Sequence, residues 1–167
     1  MHDAVPADRP KQHPIAASTE PPESARRHWM SVLARAAADE LESCLAEHGG
    51  APAYQRLRGP ENGLVMVRGR AGGGGAPFNL GEMTVTRCTI RTAAGQVGHA
   101  YVAGRDSRQA ELAAVLDALL QDPARGAALR DGVIARLAAG QAAARAEVAR
   151  KAAATKVQFF AMRNMRT

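Results

Sequence analysis

The chain has 167 residues, of which 46% are hydrophobic but only 4% aromatic, and it carries a formal net charge of +6. This length suggests one domain, and the positive charge favours an anionic partner such as a nucleic acid, a phosphorylated small molecule or an acidic subunit. The arginines are scattered and no basic run alternates with aromatic residues, which disfavours a nucleic-acid interface. No apolar run approaches the roughly 18 residues that a membrane-spanning helix needs.

The cysteines predict a reducing, cytoplasmic location. Cys44 and Cys88 form no CxxC pair, and the first residues show no secretory signal. Residues 1–22 contain five prolines among polar residues, so we expect a disordered tail there and a single domain over residues 23–167.

Two helices are predicted after the tail. The first has apolar residues at helical spacing, and the second begins at Asp39 as N-cap and stops at Gly49–Gly50. The apolar positions are Trp29, Val32, Leu33 and Ala36 in the first helix, and Leu41, Cys44 and Leu45 in the second.

Short strands follow. We predict strands over 54–58, 64–67, 83–92 and 96–103, with a turn at 59–63 and a hairpin connection at 93–95. These segments make an antiparallel sheet of three or four strands.

The rest of the chain is predicted to be helical. Asp106 as N-cap and Gln109 open a helix whose apolar stripe runs from Leu112 to Leu120, and Asp122-Pro123 restarts a helix. Breaks are expected at three glycines, and residues 157–162 form a short apolar strand or docking segment. The glycines are Gly126, Gly132 and Gly140. Helices, then strands, then helices indicate an α+β fold.

The stretch RGRAGGGGAPFN, residues 68–79, invites comparison with a phosphate-binding loop. It lacks the lysine and hydroxyl of a P-loop, and Ala76-Pro77-Phe78 follows where a helix would be needed. No βαβ unit supports a dinucleotide site. The stretch is therefore predicted to be a flexible loop at a site or an interface.

The arginines beside this loop suggest an anion site. Arg68 and Arg70 alternate along one strand and Arg87 lies on the next, so a sheet that brought them together would suit phosphate or carboxylate oxygens. The alternative is that they face water or pair with Glu61 and Glu82.

Catalytic groups are not evident. Cys88 alternates with Ile90 and is predicted to be a small buried residue, and His99 to be packed or hydrogen-bonded. The histidines and cysteines have no metal-ligand spacing, so no metal site is predicted, and no carboxylate pair is visible. This pattern favours a subunit over a complete enzyme.

Four segments carry a family resemblance: RRHWMSVLARA, GLVMVRGRAGGGGAPFNLGEMTVTRC, GRDSRQAELAAVLDALLQ and ATKVQFFAM. They resemble the PhnG subunit family of the bacterial carbon–phosphorus lyase core complex over residues 26–162. The central segment is the most specific, although Gly74 stands where the family commonly has threonine.

The resemblance implies a function. With sister subunits H and I and an accessory ATPase-like subunit L, the family supports displacement of adenine from ATP by a phosphonate, and an iron–sulfur subunit, J, later cleaves the carbon–phosphorus bond. The nucleosidase chemistry belongs to subunit I, the closest expected partner. This chain is then a non-catalytic subunit that binds no cofactor by itself, with ATP as substrate of the complex and no nucleic-acid or membrane partner.

Candidate site residues come from the matching segments, and no catalytic or metal-binding residue is among them. The substrate-proximal or interface candidates are Arg68, Arg70, Gly72, Gly73, Gly75, Glu82, Thr84, Thr86, Arg87, Cys88, Arg105 and Asp106. The partner-docking candidates are Trp29, Phe159 and Phe160. Two other functions stay open: a basic nucleotide- or nucleic-acid-binding module, and a stand-alone enzyme using Cys88 or His99.

Overall fold

A computed structural model describes residues 23–70 and 74–156, and it confirms the α+β class. Two helices precede a three-stranded antiparallel sheet of order β1-β2-β3, and further helices follow it. The elements are α1 (Glu23–Leu33), α2 (Ala38–Glu47), β1 (Tyr54–Gly69), β2 (Phe78–Thr92), β3 (Val97–Ala103), α3 (Ser107–Leu120), α4 (Gly126–Leu129) and α5 (Ala135–Ala154).

The first two helices bury the predicted apolar positions. Trp29, Val32 and Leu33 of α1 lie in the core, as do the predicted residues of α2. The N-terminus of α2 differs from the prediction, because Asp39 lies inside the first turn. The N-cap is Ala37. Its backbone N–H donates to the Glu40 carboxylate at 2.8 Å, so the capping side chain comes from Glu40 and not from the N-cap residue.

The sheet contains one long strand where two short ones were predicted. β1 runs without a turn through residues 59–63, with register shifts between Arg56 and Arg58 and between Arg58 and Glu61. Pro60 is tolerated because β1 is an edge strand, where a missing N–H costs little. The segment that looked like a turn is therefore an irregularity in a continuous strand.

The connection between β2 and β3 is the predicted hairpin. The Thr92 N–H donates to the Gln96 carbonyl at 2.9 Å, and Gly95 adopts a φ of +99° in the turn. The strand predicted over 83–92 was too short at its start, since β2 begins at Phe78.

Helix α3 covers the sheet and forms the centre of the core. Its N-cap is Asp106, which accepts the Gln109 N–H at 2.9 Å as predicted. The apolar residues Val115, Leu116 and Leu120 are at most 1% exposed. The predicted apolar stripe is therefore buried within the chain.

The C-terminal helices begin later than Pro123. Residues Asp122–Arg125 form a turn, α4 begins at Gly126, and Arg130–Ile134 forms a wider π-helical turn that places Val133 and Ile134 in the core. Gly140 causes no break, since α5 passes through it. Among the helices described, none is long and apolar enough to cross a membrane.

Candidate functional site

The β1–β2 hairpin extends beyond the rest of the sheet. β3 pairs with β2 only as far as the pair Val85 and Ala103, whereas the hairpin continues to the pair Gly69 and Phe78. We call residues 62–69 and 78–84 the arm. At about 3.3 Å per residue, the arm projects roughly 20 Å past the end of β3.

The arm exposes large apolar side chains. Leu64 is 64% exposed and Leu80 59%, in contrast to the core positions of the same strands. The exposed apolar set of the arm is Leu64, Met66, Phe78, Leu80 and Met83. Large apolar side chains exposed together in one segment are typical of an interaction site.

Both faces of the arm carry such residues. Directly paired residues of an antiparallel hairpin place their side chains on the same face. Leu64 pairs with Thr84 and Met66 with Glu82, whereas Val65 pairs with Met83 on the opposite face. A partner that covers the arm can therefore bury apolar side chains on either side of it.

Gly69 and Gly75 lie near the tip of the arm. Gly75 has a φ of +81°, a backbone conformation that favours glycine, while Gly72 and Gly73 lie outside the described residues. Gly69 permits a close approach, since a Cβ there would lie 2.4 Å from Leu80 Cδ1. The tip is thus built for turning and packing, and its predicted role at an interface stays a prediction.

The predicted cluster of arginines is wrong. Arg68 is opposite Asn79 near the tip, whereas Arg87 is opposite Glu61 below the arm. Seven residues of β1 separate the two positions, about 23 Å along a strand. They also lie on opposite faces, because residues 61 and 68 differ by an odd number. The register that pairs Glu61 with Arg87 and Arg68 with Asn79 causes this separation.

Arg87 is held by an ion pair. Its Nε lies 2.6 Å from Glu61 Oε1, and Arg58 also pairs with that carboxylate. The hydrogen bond from Arg87, followed by that from Arg58, holds the pKa of Glu61 below its ordinary value. The alternative that Arg87 pairs with Glu61 is confirmed.

Thr86 and Cys88 face the core. The Thr86 hydroxyl lies 2.9 Å from Asn62 Oδ1 and 2.8 Å from the Gly104 carbonyl oxygen. Cys88 is 2% exposed, and burial raises the pKa of its thiol to about 11. The thiol is therefore protonated at neutral pH and unsuited to nucleophilic attack.

The remaining candidates fall into two places. Glu82 and Thr84 belong to the arm, and Arg105 is exposed in the loop before α3, whose N-cap is Asp106. His99 lies with its Nδ1 3.1 Å from the Thr89 hydroxyl, as the prediction of a hydrogen-bonded histidine required.

Trp29 is not available for docking. It is 1% exposed, and its Nε1 donates to Asp117 Oδ1 at 2.8 Å. The other two docking candidates, Phe159 and Phe160, lie outside the described residues.

Asp117 is the polar residue that sequence reasoning missed. It is fully buried on α3 and accepts from Arg26 of α1, from Trp29 and from the His99 backbone N–H. These donors fill the acceptor positions of a carboxylate. A single aspartate inside the Leu112–Leu120 stripe was the available signal, since an unpaired buried charge is costly.

A groove of about 700 Å³ lies between α2 and α5 and has an acidic rim. Two of its carboxylates already have partners: Glu40 accepts from the Ala37 N–H and Glu47 pairs with Arg136 at 2.8 Å. A triphosphate would meet repulsion there. Among the described residues, no three His, Cys, Asp or Glu side chains are placed to hold a metal ion.

Comparison with known proteins gives two results. The family model described as "Phosphonate metabolism protein PhnG" matches residues 24–164. The chain is also 48% identical over 140 residues to the alpha-D-ribose 1-methylphosphonate 5-triphosphate synthase subunit PhnG of Rhizobium meliloti (strain 1021). That alignment covers 82% of this chain and 87% of the relative.

Proposed function

Because the chain belongs to the PhnG family of phosphonate metabolism proteins, we propose that it is a non-catalytic subunit of a ribose 1-methylphosphonate 5-triphosphate synthase complex. In this role it supports transfer of the ribose triphosphate moiety of ATP to a phosphonate, with release of adenine. ATP is the substrate of the complex, and this chain alone binds no cofactor. The similarity to a named synthase subunit along most of the chain is the observation that carries the proposal.

The surface chemistry supports a subunit role. The thiol of Cys88 is buried and protonated, Arg87 is paired with Glu61, and the arm exposes Leu64 and Leu80 to solvent. Cys88 and Arg87 are thus engaged in the fold, while the apolar side chains of the arm have no covering element among the described residues. We propose that the arm binds a sister subunit, with subunit I as the partner and subunits H and J completing the core complex.

The net charge of +6 supports a second contribution. ATP and a phosphonate are both anionic, so a positively charged subunit lowers the electrostatic cost of bringing them together. This effect acts at a distance and does not require an arginine to touch the substrate.

The experiment is reconstitution of the complex with the sister subunits and measurement of adenine release. Phe78→Ser combined with Leu80→Ser should weaken incorporation by about a hundredfold, because interface energy concentrates in a few large apolar side chains. Val148→Ser is the matched control, since Val148 is 67% exposed on α5, away from the arm.

Wild-type protein that neither joins the sister subunits nor raises the rate of adenine release contradicts the proposal. Salt-sensitive binding of ATP or short DNA by the isolated chain would favour the basic binding module instead.

A further inference from the structure

The edge of β2 is open along the arm. Below the arm, the Thr92 N–H donates to the Gln96 carbonyl, and the Gly104 N–H donates to the Thr84 carbonyl at 2.9 Å. Even-numbered residues of β2 therefore turn their backbone groups toward β3. The next such residue is Glu82. The chain leaves the sheet at Gly104, whose φ is +94°, so no described strand lies beside Glu82 on that side.

The outer edge of β3, in contrast, is capped by side chains at Val97 and His99. Asp117 accepts the His99 N–H at 2.9 Å, and the Val97 carbonyl accepts from Arg26 at 3.1 Å and from Gln121 at 2.9 Å. Capping of this kind prevents another chain from pairing with that part of an edge. The fold thus caps the first part of β3, whereas no such contact from the described part of the chain is seen at Glu82 on the β2 edge of the arm.

The opposite edge of the arm offers a shorter continuation. β1 is irregular directly below the arm, where register shifts flank Arg58 and Pro60 supplies no N–H, so an added strand could not extend along β1 past Glu61. On β2 the pairing with β3 is regular from Arg91 to Val85, so an added strand would continue the line of β3.

Burial of the arm makes an added strand the favourable partner. A sister subunit that covers the apolar faces around Met66 and Met83 would also remove the Glu82 backbone groups from water. A buried N–H or C=O without a partner is costly, and a helix or a loop seldom satisfies a row of edge groups. A strand satisfies them through its own backbone.

We propose that an extended segment of the sister subunit adds to the β2 edge of the arm at Glu82, antiparallel to β2 and in line with β3. This inference rests on the proposed function. The segment carries apolar side chains at alternate positions, on the face of the sheet where Met83 lies. It also carries a lysine or arginine opposite Glu82, which has no ion-pair partner among the described residues.

The test compares Glu82→Pro with Glu82→Ala in reconstitution with the wild-type sister subunits. Both variants remove the carboxylate, but only proline removes the outward N–H, and the pairing of Met83 with Val65 is left in place. We expect Glu82→Ala to weaken binding by about threefold and Glu82→Pro by about a hundredfold, with unchanged thermal unfolding of the isolated variants.

Met66 provides the control on the other edge. Val65 turns its backbone toward β2, so Met66 turns its N–H outward from β1. Met66→Pro and Met66→Ala should bind equally. A specific loss with Met66→Pro would place the added strand on β1 and overturn the assignment.

Hydrogen exchange gives a second readout that does not depend on a variant. The Glu82 amide should exchange rapidly in the isolated chain and slowly in the complex. Slow exchange in the isolated chain would mean that this chain or a second copy already occupies the edge, which overturns the inference. If wild type joins the complex and Glu82→Pro matches Glu82→Ala, only the inference fails. If wild type does not join it, the proposed function fails as well.

Discussion

The two halves of the β1–β2 hairpin have opposite surroundings. In the lower half, Cys88 and Ile90 are at most 2% exposed beneath α3, whereas in the arm Leu64 and Leu80 are more than half exposed. The strands and their residue types are alike in both halves. The difference arises because α3 and β3 end before the hairpin does, so burial depends on which element lies alongside a residue and not on its hydrophobicity.

The sharpest test of this contrast is Asp117→Ala. It would leave Arg26, Trp29 and the His99 N–H without their buried acceptor. We expect a loss of about 3–5 kcal/mol in the free energy of unfolding, measured by urea denaturation. Glu23→Ala is the control, because the ion pair that Glu23 forms within the described residues is with the exposed Arg27. Equal effects of the two changes would mean that the buried carboxylate does not hold α1, α3 and β3 together.

A pair of glycines compares the two halves directly. A Cβ on Gly98 would lie 1.9 Å from the Ala114 carbonyl oxygen of α3, whereas a Cβ on Gly63 in the arm would meet nothing within 4 Å. Gly98→Ala should therefore cost about 3 kcal/mol through overpacking. Gly63→Ala should change stability by less than about 0.5 kcal/mol.

Thermal and urea unfolding of both variants give the measurement. A neutral Gly98→Ala would show that α3 can move away from β3, and the distinction between a rigid lower half and a free arm would then weaken.

The buried thiol of Cys88 tests the burial of the lower half of the hairpin through its reactivity and its effect on stability at high pH. In a Cys44→Ala background, Cys88 should react with iodoacetamide at pH 8 about a hundredfold more slowly than an exposed thiol, because its pKa is about 11 against an ordinary 9.0. Stability should also fall as the pH rises from 9 to 11. The unfolded thiol loses its proton near 9, while the folded thiol keeps it, so the unfolded state binds fewer protons in this window.

Adding Cys88→Ser to the same background is the control, and the decline that Cys88 contributes between pH 9 and 11 should disappear. Rapid alkylation of the folded protein would contradict the burial of this thiol.

The smallest expected effect concerns Arg87, at the base of the arm. Arg87→Ala should raise the pKa of Glu61 toward its ordinary value of 4.5, since the Arg87 hydrogen bond is the largest cause that lowers it. A carboxyl NMR titration measures this change. In the reconstituted complex, we expect slower assembly or adenine release, and wild-type behaviour in both would remove Arg87 from the candidate site.

Several features could be predicted because they depend on neighbours in the sequence. The Asp106 cap, the 93–95 hairpin and the apolar positions of α1 and α2 follow from local periodicity and turn chemistry. The continuous β1 could not be predicted, because its irregular 59–63 segment is held in register by pairing with a strand about 25 residues later. In this segment, cross-strand hydrogen bonding outweighs the local turn propensity.

The candidate site divides in the same way. The family was readable from the residues, whereas the separation of Arg68 from Arg87 depends on the register of two long strands. Trp29 looked like a docking residue because periodicity cannot tell a core position from an interface position. Its hydrogen bond to Asp117, 88 residues away in the sequence, shows that Trp29 occupies a core position.

By itself, the sequence determined the α+β order of elements, the Asp106 cap, the 93–95 hairpin, the burial of Cys88 and the family. These depend on local propensity, alternation and motif. Only the tertiary structure decided that the β1–β2 hairpin extends beyond β3 and that Asp117 joins α1, α3 and β3. It also decided that β3 is capped at Val97 and His99, whereas the β2 edge of the arm is open at Glu82. Each of these depends on where elements distant in sequence begin and end beside one another, which no local pattern encodes.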